Sequence, residues 1–393
     1  MITVADAVAR LQSQATCLCT AETVSLTAAA GRVLATDLIS PIDVPPADNS
    51  AVDGYALRSQ DANQSLPVSD RITAGMLPAP LAGNSAARIF TGAAVPPGAD
   101  AVVMQEDCVV GADSVSLPVV KVGANIRRRG QDVQAGAIVL TAGTVLTPWH
   151  LGLIASLGLA EVSVRQRLRV ALLTTGSELQ RPGEAPLPGK IFNSNSTLLS
   201  SLLAQVGCEV SDCGMVADSA EATTAALKRA AQSAQLIIST GGVSVGEEDH
   251  VRDAVAKLGG IDLWKVAIKP GKPFAFGKVE SSLFLGLPGN PAAVLVTFLL
   301  LVKPLLDRCR GAMSSAPVWY SLPAAFEIGK AGKREEYLRV RINADGMLEA
   351  HPNQSSGMLS SACWADGLAR VAAGRTVARG EGVDFLPFSR LLF

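Results

Sequence analysis

Charge is scarce in this 393-residue chain and neither sign prevails: 34 Lys and Arg face 35 Asp and Glu, a formal net charge of −1. So balanced a chain carries no electrostatic footprint for nucleic acid, and any anion it binds must be met locally by a few cations and backbone groups. Histidine is rarer still, and His150, His250 and His351 stand too far apart to argue for a zinc site. Long apolar runs are also missing. The longest, Ala292 to Val302, ends at Lys303-Pro304 and falls well short of the roughly 20 residues that span a bilayer. It reads as a buried helix, and no membrane association is expected. The opening MITVADAVARLQ has no basic start followed by an apolar block, so it does not read as a signal peptide.

The seven cysteines are scattered, with no Cys-x-x-Cys pair. Reduced thiols in a cytoplasmic protein are expected. Cys17 and Cys19 could ligate a soft metal, but no His or further Cys is near them in sequence, so two half-buried thiols are the expectation. The chain also lacks a Gly-x-Ser-x-Gly elbow, a P-loop lysine motif, a Rossmann glycine fingerprint and any fixed-period repeat.

What is present is apolar material, 48% of residues, enough for several cores in roughly two to four domains. Residues from Thr3 carry helical periodicity (Val4, Ala7, Val8, Leu11) before an extended Val33 to Ile39. From Pro41 to about Gln134, short β-like runs are cut by Pro, Gly, Asp and Asn. Gly136 to Arg167 turns helical again and is expected to pack back on the first helix, making the β region an insertion. From Leu168 to about Arg310, strands alternate with helices, the mark of a parallel sheet covered on both faces. From Ala316 the text is β-like, with a hairpin turn at Asp345-Gly346. The expected fold is multidomain α/β plus β. It has a discontinuous helical and extended domain (1–41 and 136–167) and an inserted β domain (42–135). A doubly wound parallel α/β domain (168–315) and a C-terminal β-barrel (316–393) complete it.

Three bent turns follow strands of the α/β region: STGGVSVGEED, KPGKP and GLPGNP. Gly and Pro there expose backbone N–H groups at the carboxyl edge, where open α/β sheets bind ligands. Asn290 suits an N-cap and Pro291 the first helical position, which would make that helix end an anion site. Lys265, Lys269 and Lys272 lie among Trp264, Val266, Ile268, Phe274 and Phe276, which suggests partial burial. A buried ammonium needs an anion, either a phosphate or a carboxylate of the protein. Glu178 and Asp249 stand at adjacent strand ends, where two carboxylates could share one Mg²⁺ bridging phosphate oxygens. Asp218 reads more readily as a helix N-cap than as a site residue. In the β region Asp43, Asp48 and Asp53 crowd one loop, an acceptor surplus beyond ordinary turn chemistry.

These residues resemble the MoeA family of molybdopterin molybdenumtransferases, to which the E domain of gephyrin is related. The likeness rests on VPPADNSAVDGYA, RIFTGAAVPPGADAVVMQED, IRRRGQDV, TTGSELQRPG, STGGVSVGEEDH, KVAIKPGKPFAFGK and GLPGNPAAVLVTF, in that order over nearly the whole chain. It implies a homodimer that uses Mg²⁺ to insert molybdate into adenylylated molybdopterin, releasing AMP and giving molybdenum cofactor. It also implies transient contact with the molybdopterin adenylyltransferase. Asp53, Thr91 and Asp132 would close over the partner subunit's cleft. Asp53, Asp132, Asp218 and Asp249 are the implied catalytic carboxylates, with Glu178 and Asp249 on the metal. Lys265, Lys269 and Lys272 would hold phosphate or molybdate, and Gly241, Gly242 and Ser244 would approach the nucleotide. Pro288 and Pro291 would shape the adjacent turn, with Arg339 and Ser356 added from the C-terminal domain. The family often has an acidic residue where this chain has Ser177, and Glu178 is expected to keep the metal site. Two other readings share the motifs: an adenylyltransferase acting one step earlier, and a non-catalytic scaffold.

Overall fold

Six strands build the central sheet, in the spatial order Glu209–Val216, Arg169–Thr175, Leu236–Thr240, Ser282–Leu287, Pro273–Val279, Gly259–Lys265. The first four run parallel, Pro273–Val279 runs against them, and Gly259–Lys265, antiparallel to Pro273–Val279, returns to their direction. This computed structural model describes residues 1–241, 250–313 and 316–389. The parallel strands are rich in apolar residues because both of their faces are covered. Val170, Leu172, Leu236 and Ile238 join one core, whereas Ala171, Leu173 and Ile237 join the opposite one. Side chains alternate between faces at every residue, so two helical layers are served by one strand.

The first layer holds α1 (Val4–Gln14) and α3 (Ser194–Gln205). The second holds α4 (Ala220–Ser233) and α5 (His250–Leu258). The apolar face of α1, Val4, Ala7 and Leu11, belongs to the central core rather than to the 136–167 segment expected to cover it. That segment, with α2 (Pro148–Ser156), packs instead on residues 24–44: Leu34, Leu38, Leu146, Ile154, Leu157 and Val162 share one cluster. Its strand Glu161–Arg165 pairs antiparallel with Ala21–Ser25.

The long apolar run is buried from end to end, but the helix does not stop at Lys303-Pro304. Helix α6 (Pro291–Thr297) passes through a π-type stretch (Phe298–Val302) into α7 (Lys303–Arg310). Pro304 falls in the first turn of α7, directly after the π-type stretch. No described helix is long and apolar enough to cross a membrane.

Between the two halves of the first region lies a six-stranded sheet, ordered Ala101–Met104, Gly54–Leu57, Ala86–Ile89, Ser65–Ile72, Ser114–Ser116, Val109–Val110. Gly54 is forced by packing, since a Cβ there would stand 1.9 Å from the Val103 carbonyl oxygen. The C-terminal sheet runs Glu335–Ile342, Gly367–Val371, Gly382–Pro387, Tyr320–Pro323. The expected turn is present: Gly346 has φ +74°, and Asn343 Oδ1 accepts from the N–H groups of Asp345 and Met347. One short strand of the central region, Ile268–Lys269, joins this sheet alongside Glu335–Glu336.

Candidate functional site

Thr175, Thr240 and Leu287 end three parallel neighbours at nearly the same level, with Thr174 facing Thr240 and Thr240 facing Leu287 in register. The loops that follow therefore share the carboxyl edge of the sheet. Gly241 opens the middle loop at φ +82°, and a Cβ on it would stand 2.6 Å from the Thr175 carbonyl oxygen. Glycine is required there by both conformation and contact. Gly242, Ser244 and Asp249, expected in the same loop, lie outside the described residues.

In the first loop Gly176 has φ +145°, and the Glu178 carboxylate folds over it. An added Cβ would meet Glu178 Oε2 at 2.5 Å. Glu178 is exposed, as the opening of a strand-end cleft would leave it. Lys190 reaches the Ser177 carbonyl oxygen, a basic group at the site that the sequence reading did not select. Asn193 and Asn195 were also missed. Asn193 caps α3 and donates to Thr174 Oγ1 at 2.9 Å, and Asn195 donates to the Gly289 carbonyl at 2.7 Å. The run Asn193-Ser194-Asn195-Ser196 before an apolar helix was the available signal, since such residues cap helices and bridge turns.

Asp218 does not cap α4. Ser219 does, its side chain accepting from the Ala222 N–H at 3.2 Å. Asp218 is left exposed just beyond the carboxyl end of Glu209–Val216.

The lysines depart from expectation. Trp264, Val266, Phe274 and Phe276 are buried, but Lys265, Lys269 and Lys272 are all exposed. With all three ammonium groups open to solvent, burial does not demand an anion. Lys269 has one from the protein: Glu336 Oε1 lies 2.7 Å from its Nζ.

The GLPGNP turn also differs. Asn290 and Pro291 stand at the N-cap and first position of α6 as expected. However, the Ala292 N–H donates to the Ser356 carbonyl at 2.9 Å, and Asn290 Nδ2 donates to Ser356 Oγ at 3.0 Å. A C-terminal-domain residue thus occupies the helix end where an anion was expected. Pro288 and Pro291 bound this turn, Pro288 directly after the Leu287 strand end. Arg339, expected among the site residues, is 1% exposed. It donates to Ser361 Oγ at 3.0 Å and to the Ser355 carbonyl at 3.1 Å, and desolvation lowers its pKa. It positions the loop that carries Ser356.

In the β region Asp53 Oδ1 accepts from both the N–H and the hydroxyl of Thr91, each at 2.8 Å. Those two bonds, the backbone one first, hold the Asp53 carboxyl below its ordinary range. Arg88 stacks between Tyr55 and Phe90, with its Cζ 5.1 and 4.8 Å from the ring centres, and donates to the Gly54 carbonyl. Asp43 and Asp48 are not surplus: Arg129 and Arg128 pair with them, and the Ala135 and Arg129 N–H groups complete them. Asp132 is exposed, its N–H bonded to the Val44 carbonyl. Among the described contacts, no hydrogen bond or ion pair joins Asp53, Thr91 or Asp132 to the strand-end loops of the same chain.

The comparisons with known proteins cover the same ground. Residues 2–158 match the MoeA N-terminal region, domains I and II; 171–308 match a probable molybdopterin binding domain; 321–388 match the MoeA C-terminal region, domain IV. The chain is 42% identical over 390 residues to a molybdopterin molybdenumtransferase of Haemophilus influenzae, covering 94% of this chain and 95% of the relative. It is 38% identical over 381 residues to one of a Nostoc species, covering 92% and 87%. The crystal structure of a molybdopterin biosynthesis MoeA protein from Pyrococcus horikoshii superposes with a TM-score of 0.85 at 28% identity, covering 99% of this chain and 100% of that one. This chain therefore belongs to the MoeA family of molybdopterin molybdenumtransferases, enzymes of molybdenum cofactor biosynthesis.

Proposed function

We propose that this chain catalyses the Mg²⁺-dependent insertion of molybdate into adenylylated molybdopterin, releasing AMP and giving molybdenum cofactor. The observation that carries the reading is the alignment of three parallel strand ends at one sheet edge, with Gly241 pressed against Thr175. Such an edge offers backbone donors to a nucleotide's phosphates. Lys265 and Lys272 add exposed ammonium groups, and Lys269 would exchange Glu336 for a substrate oxyanion.

The described residues suit a magnesium ion of the phosphate-bridging kind. Mg²⁺ in such sites takes one or two carboxylates, with substrate oxygens and water completing its shell. Glu178 is an exposed carboxylate at the strand ends, in no ion pair among the described residues. Glu178 and Asp249 are the proposed holders. A bound magnesium would offset charge developing on the phosphate of the leaving AMP. The protein's own part is positional, holding two oxyanions together and orienting the anhydride for cleavage.

A homodimer would complete the site by bringing Asp53, Thr91 and Asp132 of one subunit over the strand ends of the other. Ile39 and Ile138, register partners on one face, are 57% and 56% exposed, which supports a covered surface there. The division into 1–41 with 136–167, 42–135, 168–315 and 316–393, a cytoplasmic setting and transient docking of the adenylyltransferase belong to the same proposal.

The test is to incubate the protein with adenylylated molybdopterin, molybdate and Mg²⁺ and to measure AMP and cofactor. Wild-type protein should release AMP, and chelation or Asp249→Ala should stop it. A folded Asp249→Ala protein with full activity would remove the metal assignment. Pyrophosphate released from ATP and molybdopterin would assign the earlier, adenylylating step instead.

A further inference from the structure

A cavity of about 580 Å³ lies away from the strand-end loops, between the end of α1, the strand Glu161–Arg165 and the end of α7. Cys17, Arg165, Arg308, Gly143, Gly311 and Met313 are among its lining residues, and none of the lining residues is acidic. Two guanidinium groups thus face a space without a carboxylate to answer them. Arg308 is exposed and spends its Nε on the Ala15 carbonyl at 3.3 Å. Arg165 gives one terminal nitrogen to the Cys19 carbonyl at 3.3 Å, while its Nε is buried with no protein partner.

Glycine makes the arrangement possible. Gly311 ends α7 at φ +75°, and a Cβ there would meet Cys17 Sγ at 2.8 Å and Arg165 Nε at 3.4 Å. The thiol and the guanidinium therefore close over the same glycine. A Cβ on Gly143 would meet Met313 Cγ at 2.9 Å, so the facing wall is equally thin.

Four thiols gather at this junction, although no sequence spacing announces it. Cys19, Cys208 and Cys309 share the central core, and the Cys17 thiol faces the Cys19 carbonyl oxygen at 3.5 Å. Burial pushes Cys19 up to about 11 and Cys208 and Cys309 up to about 12, which keeps them protonated and unreactive. Cys17 alone of the four is exposed.

We propose that this pocket takes a small carboxylate-bearing disulfide and that Cys17 is its site of reversible S-thiolation. Arg165 and Arg308 draw the carboxylates in, as guanidinium groups do. The Cys17 thiol gives its proton to solvent, and its thiolate attacks one ligand sulphur. A new disulfide forms, the ligand's own S–S bond breaks, and the departing thiolate carries away the electron pair. The disulfide is itself the oxidant, so no other co-reactant is needed.

The full-length, reduced protein is treated at low salt with oxidised glutathione or, separately, with the cationic disulfide cystamine. Mixed disulfides at each cysteine are then followed by peptide mass spectrometry. Cys17 should react about tenfold faster with the anionic reagent, a modest effect for a charged cleft, and the preference should fade at high salt. Cys213, beside Asp212, should show none. Arg308→Gln should remove most of the preference at Cys17. Equal rates at wild-type Cys17, or an unchanged preference in Arg308→Gln, would overturn the proposal, and the first comparison needs no variant to fold.

Discussion

Lys269 and Glu336 are register partners on adjacent parallel strands, and their charged groups meet at 2.7 Å. The pair joins the KPGKP loop of the central domain to the C-terminal sheet. Lys269 is 52% exposed, and ion pairs so open to water contribute about 1 kcal/mol or less. Glu336→Gln should therefore barely move the unfolding temperature while lowering the KM for molybdate, because Lys269 is released toward substrate. Lys269→Gln should raise that KM. Identical KM values in all three proteins would mean that Lys269 serves only the domain junction.

Asp53 is held in its ionised form by Thr91. Its folded pKa is lowered, so its contribution is present above the ordinary aspartate range and is lost as pH falls through the lowered value. Thr91→Val removes the hydroxyl bond but keeps the stronger backbone one. The acid limb of the pH–rate profile should then move upward, and carboxyl NMR should show the Asp53 titration following it. A profile that stays in place would detach Asp53 from the chemistry.

Arg339 and Ser356 should behave as one unit. Arg339→Gln leaves Ser361 Oγ and the Ser355 carbonyl short of a buried donor, a loss of about 1–3 kcal/mol. It should also loosen the cap that Ser356 places on α6. Double-mutant cycles with Ser356→Ala, read in kcat and in thermal unfolding, should be strongly non-additive. Simple addition would show that Arg339 acts elsewhere.

Ile39 and Ile138 put two large apolar side chains on one exposed face. In the proposed homodimer this face is the contact, so Ile138→Glu should lower the mass found by light scattering and take activity with it. A mutant of unchanged mass would place the dimer contact on another surface.

Much was legible because it is local. The apolar runs at Val170–Leu173, Leu236–Ile238 and Leu283–Leu285 declare buried strands, the Asn290-Pro291 pair opens a helix, and Asp345-Gly346 turns a hairpin. Each depends on a few neighbouring residues, whose conformational preferences act over one or two turns of chain. Even so, a shift of one residue misled at Asp218 and Ser219, since either could cap a helix starting there.

Residue order alone set the succession of elements, the glycines and prolines at the strand ends, and the supply of acids and bases. Their partners were assigned by packing in three dimensions. It gave Asp43 and Asp48 to arginines more than 80 residues away or nearly so, Lys269 to Glu336, the end of α6 to Ser356, and Cys17 to the company of Cys19, Cys208 and Cys309. It also buried Arg339 and exposed three lysines set among aromatics. Turn and strand preferences are settled within a short span of backbone, whereas charge pairing and burial depend on which distant segments the cores bring together.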